Sequence, residues 1–98
     1  MSDTLPTFNG TAHLPACPLP LVHLNGTGRS TLQAEYADAH KAVLWLQDSL
    51  ASATCHGRDY YVISSDAYVQ ARHTRDEAFR LIDELKDYLA AHYYALKG

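Results

Sequence analysis

Apolar positions recur with helical spacing in two stretches of the chain. Leu32, Tyr36, Ala39, Val43, Leu46 and Leu50 step by four and three residues, which lays a stripe along one helix over about residues 30–53. Ala78, Ile82, Leu85, Leu89, His92 or Tyr93, and Leu96 make a second stripe, on a longer helix over about residues 66–96. Ser30 followed by Gln33 fits a capping box at the first start, and Ser64, Ser65 or Asp66 can cap the second. Residues 54–65 read as a loop, with Gly57 as the candidate left-handed C-cap. So short a loop folds the helices into an antiparallel hairpin. At 1.5 Å per residue they span about 36 and 46 Å, so the second overhangs the first by about two turns.

The pattern is different before the first helix. Residues 1–20 hold all four prolines, Pro6, Pro15, Pro18 and Pro20, which excludes a helix and predicts an extended arm ahead of a hairpin domain at 21–98. Leu21-Val22-His23-Leu24, ending at Asn25-Gly26, reads as a short strand. Phe8-Asn9-Gly10-Thr11 echoes Leu24-Asn25-Gly26-Thr27, so the two segments could pair as a small antiparallel ribbon. The expected fold is mainly α: a two-helix hairpin with an extended N-terminal arm and a short strand or β-ribbon.

Val43-Leu44-Trp45-Leu46 is apolar all round, and one partner helix covers only one side of it. A two-helix core is thin, and seven tyrosines supply rings suited to half-buried surfaces. Both features predict a homo-oligomer.

Composition narrows the function classes without choosing one. The chain has 98 residues, enough for one domain, and its 47 % apolar and 19 % charged shares are those of a globular protein. A net charge of −3 argues against a nucleic-acid binder. No apolar run reaches a membrane span, and the start lacks the pattern of a signal peptide, so a cytoplasmic location is expected. Cys17 and Cys55 are then reduced thiols rather than a disulfide scaffold.

Two loop motifs carry candidate chemistry. Asn25-Gly26-Thr27-Gly28-Arg29-Ser30-Thr31 is a glycine-rich turn opening into a helix, where free N–H groups, a guanidinium and hydroxyls could hold an anion. It lacks the lysine of a Walker loop. The alternative is a plain turn with Ser30 as cap. His56-Gly57-Arg58-Asp59-Tyr60-Tyr61 offers a guanidinium for phosphate, a carboxylate for polar edges and two rings for stacking. The alternative is a structural corner, with Arg58 paired to Asp59 or to helix carbonyls. His13, Cys17, His23, Cys55 and His56 match no standard zinc spacing, so no metal or other cofactor is expected. Cys55-His56 are sequence neighbours with nothing to orient the imidazole, so no catalytic residues are assigned and no enzyme is expected. Without a signal peptide, Asn9-Gly10-Thr11 and Asn25-Gly26-Thr27 read as turns rather than glycosylation acceptors. In a hairpin the two loop motifs lie about 35 Å apart, so one ligand meets both only across a subunit boundary.

His23-Leu24-Asn25-Gly26-Thr27, Tyr36, Gly57-Arg58-Asp59-Tyr60-Tyr61, Tyr68, Ala71 and Arg75 together resemble a group of small proteins encoded by bacteriophages and prophages. The resemblance covers about residues 21–90. Val62-Ile63 departs from it where a Pro-Gln-like turn is expected, and residues 1–20 are an extension. It implies a phage accessory protein acting in the cytoplasm of an infected bacterium. By analogy with other small oligomeric phage proteins, it implies a sponge that sequesters a cyclic nucleotide or an ADP-ribose-type immune signal. Asn25, Gly26, Thr27, Gly28, Arg29, Ser30, Arg58, Asp59, Tyr60 and Tyr61 would bind that ligand. The alternatives are a protein-binding inhibitor of a host defence protein, such as an anti-CRISPR using the acidic face of Asp76, Glu77, Asp83, Glu84 and Asp87, and a virion or packaging component.

Overall fold

A computed structural model describes residues 6–24 and 26–97. Its two helices are α1, Arg29–Ser52, and α2, Ala67–Leu96. They pack against each other as an antiparallel hairpin, joined by a link that contains a 3-10 turn at Gly57–Asp59. No described helix is long and apolar enough to cross a membrane.

The seam between the helices follows the predicted stripes. Val43, Ile82 and Leu89 are its buried centre, with Tyr36, Ala39, Leu50 and Tyr88 packed against them. Leu96 and His92 are buried towards the end of α2. Two stripe positions, Leu46 and Leu85, are exposed instead. The stripe has more apolar positions than a single partner helix can cover.

The helix ends are held differently from the sequence reading. Gly28, not Ser30, is the N-cap of α1, and no side chain caps its first turn. Ser30 is the second helical residue and is exposed. Asp66 occupies the N-cap position of α2 without a side-chain bond. Gly57 is not a left-handed C-cap. The cap of α1 is Ala53 in extended conformation, and no described residue has a positive φ.

Arginines close the two C-termini across the hairpin. Arg75 on α2 donates to the carbonyls of Ala53 (2.6 Å), Leu50 (3.1 Å) and Ala51 (3.2 Å). Arg29 on α1 donates to the carbonyl of Leu96 at 3.1 Å. Each cation sits at the negative end of the other helix, where unpaired carbonyls need donors.

The described part of the arm, from residue 6, lies against α2. Strand β1, Thr7–Phe8, pairs antiparallel with strand β2, Cys17–Pro18, so a ribbon forms with a partner other than the predicted one. Residues 21–23 lie outside any strand, and Leu24 is in a turn. The echo with Leu24–Thr27 therefore does not pair, and its Asn25 lies outside the described residues. Leu19 N–H donates to Pro6 O at 2.8 Å, which closes the ribbon. Gly10 lies so near the backbone of Leu14 and Pro15 that a Cβ there would collide with it. Phe8 is buried edge-on against Tyr88, with ring centroids 5.4 Å apart.

The arm is latched by a carboxylate on α2. Glu84 Oε1 accepts from the N–H groups of His13 and Leu14, both at 3.0 Å. Its other oxygen meets His13 Nδ1, while His13 Nε2 faces Glu77 Oε2 at 3.1 Å. Arg80 pairs with Glu77 at 2.6 Å. A carboxylate beside both ring nitrogens is the setting of an imidazolium. The Glu84 hydrogen bond is the chief influence holding His13 above its ordinary pKa. Burial pushes the Glu84 carboxyl up. The His13 ring and the two backbone donors more than offset this and leave it below the usual carboxylate value.

Candidate functional site

The candidate site lies at the end of the hairpin where α2 overhangs α1. Local hydrogen bonds build it. The His56 ring accepts from Arg58 N–H at 3.3 Å, and Gly57 O accepts from the N–H groups of Tyr60 (2.9 Å) and Tyr61 (3.1 Å). Gly57 is buried under the Tyr61 phenol. A Cβ there would lie 2.8 Å from the phenol oxygen, so the glycine lets the ring fold over the turn.

The turn delivers both tyrosines to the first turn of α2. Tyr60 and Tyr61 lie 6.2 and 6.0 Å from the Tyr68 ring, centroid to centroid. The Arg72 guanidinium sits over the other end of this cluster, 5.6 Å from the Tyr68 centroid, within cation–π range. Cys55, Tyr68, Arg72, Arg75 and Asp76 line a shallow open cleft of about 230 Å³. A second shallow cleft, about 250 Å³, shares Arg72 and Asp76 and adds Val69 and His73. Each falls below the ~300 Å³ of the smallest usual ligand pockets.

Arg58 and Asp59 are exposed beside this cluster. Neither side chain makes an ion pair or hydrogen bond to another described residue. Helix carbonyls are capped by Arg75 and Arg29, so Arg58 does not take the corner role that the sequence left open for it.

The glycine turn lies at the opposite end. Gly26 N–H donates to His23 O at 3.1 Å, and the His23 ring covers Gly26 closely. Thr27, Gly28 and Ser30 are exposed around the uncapped start of α1. Arg29 points across to Leu96, so part of its fork is already used. Within one chain the structure brings Tyr60 and Tyr61 together with Tyr68, and keeps Gly26, Thr27, Gly28, Arg29 and Ser30 far from them.

Arg72 was not singled out by the sequence, and Tyr68 and Arg75 enter only through the resemblance. Tyr68, Arg72 and Arg75 fall at i, i+4 and i+7, which places them on one face of α2, and that spacing was readable. Among the described residues no three His, Cys, Asp or Glu side chains gather where they could hold a metal.

Comparison with protein-family models, with curated proteins and with solved structures finds no match.

Proposed function

We propose that this chain is a non-enzymatic binding protein that captures a phosphorylated, ring-bearing small molecule, with a cyclic nucleotide or an ADP-ribose-type signal as the ligand class. In keeping with the resemblance to phage proteins, the role is that of an anti-defence sponge in an infected bacterium. The observation that carries it is the loop end of the hairpin. Tyr60, Tyr61 and Tyr68 cluster there with the Arg72 guanidinium over the Tyr68 ring, and Arg58 is exposed in the adjoining 3-10 turn with no side-chain bond to another described residue. Arginine forks suit phosphate oxygens, and tyrosine faces suit bases. The exposed N–H groups at the start of α1 would add anion donors from a second chain.

The acidic face invoked for an inhibitor is largely neutralised from within, which favours the sponge. Glu77 is paired with Arg80 and His13, Glu84 with His13, and Asp83 lies 3.7 Å from Lys86.

Titration calorimetry against cyclic and linear nucleotides tests the reading. Arg58→Ala and Arg72→Ala should each weaken capture at least tenfold while the far-ultraviolet circular dichroism stays unchanged. A wild-type protein that releases no heat with any member of the panel refutes the assignment.

A further inference from the structure

Among the apolar side chains that the hairpin leaves exposed, four form a strip along one flank. Trp45, Leu46, Leu81 and Leu85 are 75, 52, 48 and 37 % exposed. The helical period gathers them on one flank. On α1 the seam centres on Val43, and Leu46, Ala42 and Trp45 lie successively further round on one side. On α2 it centres on Ile82 and Leu89, and Leu85 then Leu81 lie round on the same side, bordered by the arm at Glu84 and Tyr88. The other flank carries the Lys86–Gln47 hydrogen bond together with the exposed Leu44 and Tyr94.

We propose that a second copy of this chain docks on this strip, antiparallel, about a two-fold axis that passes near Leu46 and Leu85. The area argues for a copy of comparable size. A compact chain of 10.9 kDa exposes about 5,600 Å². This one exposes 7160 Å². The excess is of the size that each member of an obligate pair hides, above the ~800 Å² per partner of a standard interface. The radius of gyration agrees: 18.6 Å, where about 13 Å is the norm for this length. Only Phe8, Val43, Ile82, Leu89 and Leu96 form the buried apolar core among the described residues, and a two-fold contact doubles it by laying the strip on itself.

Light scattering behind size-exclusion chromatography of the full chain should give twice 10.9 kDa. The double variant Leu46→Glu/Leu85→Glu should halve that mass. Trp45→Glu, at a side chain outside the seam, should do the same with helical dichroism intact. A wild-type monomer across the dilution series, or a dimer that survives both variants, overturns the proposal. Orientation is read by a short bismaleimide in a Cys17→Ser/Cys55→Ser background. It should link Ser49→Cys, near the axis, to its own copy and leave Asp38→Cys unlinked; linkage of both means parallel pairing and refutes the two-fold placed here. A dimer broken by the glutamates that binds no nucleotide upholds the surface and removes only the ligand reading.

Discussion

Glu84 accepts two backbone N–H groups and faces an imidazole, all from residues about seventy positions earlier. The latch therefore depends on two protonation states. His13 is raised, so its contribution is complete below about 6.5 and is lost as pH rises through its folded value. Glu84 is lowered, so its contribution is present above about 4.5 and is lost as pH falls. Arm docking should be firmest in mildly acidic solution. A proton NMR titration should place the His13 midpoint above that of a free histidine, and Glu84→Gln should lower it. An unshifted His13 would contradict the latch. Arg75 is a second residue with a readable role. Its three hydrogen bonds to the end of α1 predict that Arg75→Ala costs about 1–3 kcal/mol in urea unfolding. Arg75→Lys should recover little, because a point charge cannot reproduce the fork.

At the scale of elements, the helices and an extended arm with a small ribbon were legible, whereas the ribbon's strand partner and its seat on α2 were not. A four-three alternation of apolar residues needs only local sequence to declare a helix, and both spans fall within a residue of the reading. The β1–β2 ribbon has two residues per strand and owes its position to Phe8 on Tyr88 and to the Glu84 latch. Those contacts span sixty or more positions and leave no periodic trace. The sequence groups Glu84 with the acidic face of α2 offered to a host protein, because nothing local marks a carboxylate that is buried beneath the arm. At the candidate site, the rings of Tyr60 and Tyr61 were legible from composition, whereas Arg72 needed the overhang of α2 to bring it to Tyr68. Two substitutions test the arm as an element. Phe8→Ala should cost about 3 kcal/mol, as for a large buried ring with a poorly refilled cavity. Gly10→Ala should cost about 1–3 kcal/mol by forcing the Leu14–Pro15 backbone aside. In both variants, hydrogen exchange should quicken at Leu19 and Leu14, whose amides the docked arm protects.

The whole molecule is a rod of 60 × 29 × 17 Å. A shape with so much surface for its volume draws little stability from its own core. If a second copy supplies the missing contacts, association and folding are one equilibrium. The thermal midpoint should then rise with protein concentration, and Leu46→Glu/Leu85→Glu should remove that dependence. A midpoint independent of concentration would mark the isolated hairpin as self-sufficient.

The one tryptophan of the chain is Trp45, and it stands on the bare strip rather than in the core. Its indole therefore works as a built-in optical gauge. In an isolated chain the emission is that of a hydrated ring, red-shifted and open to quenching by iodide. When the strip is covered, the band moves to shorter wavelength and the quencher loses access. Because the helices can stay folded throughout, the colour of this single ring reports company rather than collapse. Assembly can thus be followed in dilute, label-free solution.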